Sequence, residues 1–207
     1  MKTKTQWSQA ARPWVVLGTV LLGCNLVSPS TALAHPGHGI NNGFVPGMTH
    51  PLTGLDHICA MLAVGLWAAQ RGGRALWAVP LAFVSVMALG AVVGMRGVEV
   101  PYLDKGIAAT VLLLGVFIAA AVRLPLVASA TIVGLFALLH GYAHGFEAGT
   151  VSTASSLLYG AGFILSTIFL HLTGIGLGLG LQRVSQLPVI RYAGAAIALC
   201  GVLLLLT

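Results

Sequence analysis

Seven histidines stand in this chain against four carboxylates, and their spacing is that of ligands. His140, His144 and Glu147 follow an i, i+4, i+7 pattern, which projects all three from one face of a helix. His50, Asp56 and His57 form a second group, and His171 stands alone in an apolar run. His35 and His38 belong to a short HPGHG segment. Imidazole nitrogens and carboxylate oxygens in such groups can share a divalent metal ion. With no thiolate in the cluster, the donor set suits nickel, cobalt or zinc over copper(I), calcium or magnesium, and softness alone does not separate the first three. Asp56 and His57 are adjacent, so on a helix they diverge by about 100°. One of them can bind an ion while the other orients it, as carboxylates behind metal-bound imidazoles commonly do. Pro36 has no amide proton, so HPGHG cannot form an amide-nitrogen chelate through that residue and serves at most as a loose capturing arm.

The elements that must carry these groups are membrane helices. Of 207 residues, 57% are hydrophobic and 7% charged, with a mean hydropathy of +0.97. A soluble domain usually carries about 25% charged residues, so a soluble fold and a disordered chain are both excluded. At roughly 20 apolar residues per span, the chain has room for about six transmembrane helices and no further module. The expected fold is an all-α integral membrane protein, a bundle of six transmembrane helices after a cleavable signal peptide. The apolar runs fall at 52–70, 75–95, 106–122, 126–146, 154–181 and 189–206. Pro51 suits the first turn of the first span, with Thr49 or His50 near its cap.

Residues 1–34 read as a secretory signal: Lys2, Lys4 and Arg12 precede a short apolar stretch and an Ala32-Leu33-Ala34 cleavage pattern. A lipoprotein-type site ending at Cys24 competes, and the regular small-residue pattern favours the first. Residues 35–51 then form an extracytoplasmic histidine-containing segment, and 52–207 the six-helix transport domain. The net charge of +6 is a topology signal, because the basic residues are scattered and form no nucleic-acid patch. Arg71, Arg74, Arg123, Arg183 and Arg191 fall on one side, against Arg96 and Lys105 on the other. The positive-inside rule therefore predicts both termini outside, in the bacterial inner membrane. In that frame Asp56, His57 and His140 lie at one depth, roughly 8 Å below the outer edge, while His171 lies roughly 4 Å inward of its helix midpoint.

Ionisable groups within a span are costly and usually functional. Bland readings apply to single residues: a lone His171 can be a hydrogen-bonding partner between helices, Met61 can be packing, and Cys59 and Cys200 small buried residues. The fifth span carries Gly174, Gly176, Gly178 and Gly180 in alternation, with Gly160 and Gly162 before them, which predicts a central helix that others approach closely.

The string Gly43-Phe44-x-x-Gly47-x-x-His50-Pro51-x-x-Gly54-x-Asp56-His57, then Ala60-Met61 and Val64-Gly65, resembles the signature of the HupE/UreJ family. The likeness continues through HGYAHG in the fourth span and Thr167-x-x-x-His171-x-x-Gly174 in the fifth. The resemblance implies a bacterial membrane protein of nickel uptake for hydrogenase or urease maturation, with His50, Asp56 and His57 taking part in metal movement; cobalt is also open. It assigns no separate roles to His140, His144 and Glu147, which rest on spacing.

The expectation is a non-enzymatic permease carrying Ni²⁺ or Co²⁺ inward, with no prosthetic group, no nucleotide and no nucleic-acid partner. A homo-oligomer is open to it. His35 and His38 would gather ion, His50, Asp56, His57, His140 and His144 would form an outer site with Glu147 at its rim, and His171 would be the inner station. Two other classes compete: a zinc-dependent intramembrane hydrolase using the same cluster, and a haem protein with His57 and His140 as axial ligands.

Overall fold

The computed structural model describes residues 43–148, 153–184 and 189–207. The signal segment 1–34, Cys24, His35 and His38 lie outside them. Among the described residues the chain is wholly helical: α1 (Phe44–Thr53), α2 (Leu55–Arg71), α3 (Ala75–Gly94), α4 (Leu103–Ala119), α5 (Leu126–Ala148), α6 (Thr153–Val184) and α7 (Val189–Leu206). Four of these, α3, α5, α6 and α7, are long and apolar enough to cross a membrane, and α1 with α2 makes a fifth candidate if the bent pair counts as one span. The protein is a multi-pass membrane protein.

The chain departs from expectation at its first span. Pro51 does not open that helix; it lies inside α1, a separate ten-residue helix that carries His50. Gly54 is in extended conformation between α1 and α2, and the two helices meet at 81°. Proline without an amide proton weakens the end of α1, and Gly54 breaks the helical path before α2 begins. Across the break Gly54 N–H still donates to the His50 carbonyl, and Ile58 N–H to that of Gly54.

Packing is by close backbone approach at small residues, the usual means of helix association in lipid. A Cβ at Gly141 or Gly145 of α5 would strike the Met87 or Ala91 carbonyl of α3, and one at Gly90 or Gly94 would strike α5 in return. Gly115, Gly194 and Gly201 join α4 to α7 in the same way. Gly65 of α2 meets the His171 carbonyl of α6, and Gly174 meets the Leu62 carbonyl.

The enclosed helix is α2, not α6 as the glycine alternation predicts. From Cys59 to Ala69 nearly every residue of α2 is buried, as suits a helix apolar on all sides. On α6, Gly160, Gly176 and Gly180 face open space, and Leu165, Phe169 and Leu172 are exposed. The alternation at 174–180 spreads glycines around the helix, so only Gly162, Gly174 and Gly178 reach a neighbour. Met61 is fully enclosed in the core. Cys59 and Cys200 are buried too, and their sulfurs touch at 3.4 Å between α2 and α7.

Candidate metal centre

The break at Gly54 places the first group of polar residues. Asp56 and His57 occupy the first turn of α2, and a Cβ on Gly54 would stand 2.8 Å from both Asp56 Oδ1 and His57 Nδ1. Glycine at this position leaves room for those side chains to fold back toward one another. His57 Nδ1–H donates to Asp56 Oδ1 at 2.7 Å, which leaves the lone pair on Nε2. Asp56 is thus bonded to His57.

His144, on α5, is held in the same way from the other side. Its Nδ1–H donates to Glu147 Oε2 at 3.3 Å, one turn further along the helix, and its Nε2 faces His57 Nε2 directly. The two Nε2 atoms are in hydrogen-bond contact inside the protein, so a proton lies between them. A divalent cation that takes the place of that proton, with the rings moved apart, gains two nitrogen ligands. Carboxylates on the distal nitrogens are the usual support of metal-bound histidines, because they fix the tautomer and raise ligand basicity.

His50 completes the group. Its ring lies edge-on to His144 at 4.7 Å and to His57 at 5.4 Å between centroids. One ligand atom from each of His50, His57 and His144 can be chosen so that all lie within 4.8 Å of one another. Nitrogens around an ion at about 2.1 Å lie up to about 4.2 Å apart, so the triad takes an ion once the His57 and His144 rings part and His50 moves in. Phe163 of α6 covers it, its ring 4.4 Å from that of His144.

His140 stands one helical turn from His144 and packs edge-on against His57 at 5.5 Å. The Thr110 hydroxyl gives its proton to the Ile107 carbonyl at 2.7 Å, so at 3.0 Å it accepts from His140 Nε2–H. The lone pair of His140 is then on Nδ1, which is buried and has no hydrogen-bond partner among the described residues. His171 is 1% exposed, and neither of its ring nitrogens has a partner there. Phe83 of α3 lies between these two: its ring is 5.9 Å from His140 and 5.1 Å from His171. Buried polar atoms are almost always paired, so the three orphaned imidazole nitrogens on the two sides of Phe83 are open to a partner, an ordered water or an ion.

Of the residues singled out by spacing, the structure thus groups His50, His57 and His144 as direct ligand candidates. Asp56 and Glu147 support two of them, His140 lies beside them and His171 lies apart. Sequence reasoning missed Thr110, Phe83 and Phe163. A hydroxyl within the apolar run 106–122 is a visible signal for Thr110. The two phenylalanines carry none, being ordinary core residues until their neighbours are known.

Fold and site together define a multi-pass helical membrane protein built around a buried histidine cluster. The HupE / UreJ protein family matches residues 20–204. The chain is also 47% identical over 182 residues to Protein HupE of Rhizobium leguminosarum bv. viciae, covering 87% of this chain and 93% of that protein. It belongs to the HupE/UreJ family. No solved structure matches it.

Proposed function

We propose that this protein is a permease for a divalent late transition-metal ion, Ni²⁺ or Co²⁺, carried inward across the bacterial inner membrane for hydrogenase or urease maturation. The observation that carries the reading is the opposed pair of imidazoles: His57 Nε2 faces His144 Nε2 while a carboxylate holds each Nδ1. Family membership and its association with nickel uptake support the same conclusion. Six spans cross the bilayer, with α1–α2 as a broken first span and the 17-residue α4 as a short third, both termini lying outside. His35 and His38 gather ion at the mouth, His50, His57 and His144 bind it, and His140 and His171 receive it in turn. Discontinuous helices near binding sites are a recurrent feature of secondary transporters. A broken first span gives the ion a site whose two halves can separate. An ion must leave as readily as it enters, and a series of partial sites suits that better than one deep trap. The driving force comes from an ion gradient or from consumption of the metal inside.

Three histidines with an open position would also suit a catalytic zinc, which makes a hydrolase the second reading. The haem reading loses its axial pair, because the His57 and His140 rings pack edge-on against one another at 5.5 Å, which leaves no room for a porphyrin between them.

The experiment is radiolabelled nickel uptake into cells that lack their own importers, comparing the native chain with His57→Ala and His171→Ala, with and without an uncoupler. Uptake by the native chain that is lost in both variants is expected, and the uncoupler separates passive from driven entry. A native chain that moves no nickel, cobalt or zinc overturns the permease and leaves the hydrolase.

A further inference from the structure

Between the triad and His171, His140 stands on the α5 side of Phe83, and a second candidate ligand stands on the α3–α6 side. On α6, Phe163 covers His144 and His171 meets Phe83. These two positions are eight residues apart, which is roughly 12 Å along the helix. Thr167 lies halfway between them on the same face, fully buried, and its hydroxyl donates to the thioether sulfur of Met87 at 3.9 Å.

Met87 is one turn from Phe83 on α3, so Phe83 and Met87 stand opposite His171 and Thr167 as two rungs of one ladder. Met87 is 2% exposed, and it lines the same cavity as His144. Its backbone is held in place, because Gly141 of α5 packs directly on its carbonyl. Met87 therefore borders the cavity that reaches His144, and it stands one turn along α3 from Phe83, which meets His171.

We propose that the Met87 thioether is a metal ligand midway between the histidine triad and His171, and that it confines the route to late transition-metal ions with affinity for sulfur. Thioethers bind soft and borderline ions and are poor ligands for magnesium, calcium or manganese, which prefer oxygen. The inference rests on the permease reading and adds to it the class of ion and the residue that selects it. Thr167 acts as a positioning residue, holding the sulfur by a weak bond that an incoming ion replaces.

The test is Met87→Leu, a swap of similar volume that keeps packing and removes sulfur. Nickel uptake should fall by roughly tenfold or more, the scale on which single partners of a metal site act. Excess manganese or magnesium should then compete with the residual uptake, whereas no competition is expected in the native chain. Independently, the full-length chain is labelled with selenomethionine, loaded with Ni²⁺ in detergent and measured by X-ray absorption at the nickel edge. A selenium neighbour is expected in the native chain and absent from Met87→Leu; cysteine sulfur cannot mimic it. Uptake and competition unchanged in Met87→Leu, or no selenium neighbour in the native chain, overturns the proposal. Absence of uptake by the native chain overturns the permease reading instead, and the absorption measurement still decides whether Met87 binds the ion.

Discussion

The Nε2 atoms of His57 and His144 face one another across a buried contact between α2 and α5, although the two residues are 87 positions apart in the chain. Each ring is anchored by a carboxylate on its far side, Asp56 for one and Glu147 for the other. The two rings are thus held in one orientation, each Nε2 toward the other. Only one of the supports is sheltered, since Glu147 is largely exposed and Asp56 much less so. The two carboxylates should therefore matter unequally.

Asp56→Asn tests the sheltered support. The amide oxygen can still accept from His57 Nδ1–H, but without charge, so the imidazole is a weaker ligand. Ion affinity is expected to fall by about 10- to 100-fold, the range for outer partners of metal-bound histidines. Titration of purified protein with Ni²⁺ measures it. Glu147→Gln should cost less, and an equal or larger loss there would reverse the ranking.

Gly54→Ala should damage the site without damaging the fold. The backbone at Gly54 is extended with a negative φ that alanine adopts freely. Its new Cβ, however, would stand 2.8 Å from Asp56 Oδ1 and His57 Nδ1 and push the pair apart. Nickel affinity is expected to drop by about tenfold or more, with the melting temperature in detergent little changed. A large fall in melting temperature would show that Gly54 acts in folding instead.

His171→Leu should separate stability from function. A buried imidazole with two unpaired nitrogens is a net burden on the fold, because its desolvation is not compensated. Leucine removes that burden and is expected to leave stability equal or about 1 kcal/mol higher, while nickel uptake falls. Unfolding curves and uptake on the same preparation test both halves. Lower stability would mean that His171 has a structural partner.

Thr110→Val takes away the acceptor of His140 Nε2–H at a fully buried position. A stranded buried donor costs about 1–3 kcal/mol, and the His140 ring is no longer held in one orientation. Reduced stability together with slower uptake is expected. Thr110→Ser, which restores the hydroxyl, should recover most of both.

The amino-acid sequence by itself determines the class of this protein and singles out its candidate site residues. A chain with 57% hydrophobic and 7% charged residues must bury its backbone in helices in a bilayer, and helical periodicity places His140, His144 and Glu147 on one face. The adjacency of Asp56 and His57 means that both cannot point equally well at one centre. Which residues meet across helices was a matter for tertiary structure, because in lipid the partners are chosen by close approach at glycines rather than by an amphipathic pattern. Thus Gly141 and Gly145 lock α5 onto α3, whereas the glycine alternation of α6 spreads around that helix and leaves α2 as the enclosed one. The separate helix α1 was hidden for a similar reason. Gly43 to Gly54 reads as an approach to a span, and only the 81° turn at Gly54 brings His50 beside His57 and His144. Phe83, Met87 and Thr167 are ordinary core types in sequence; their relation to His140 and His171 exists only once α3, α5 and α6 are packed, because side chains gain such roles from neighbours supplied by other helices.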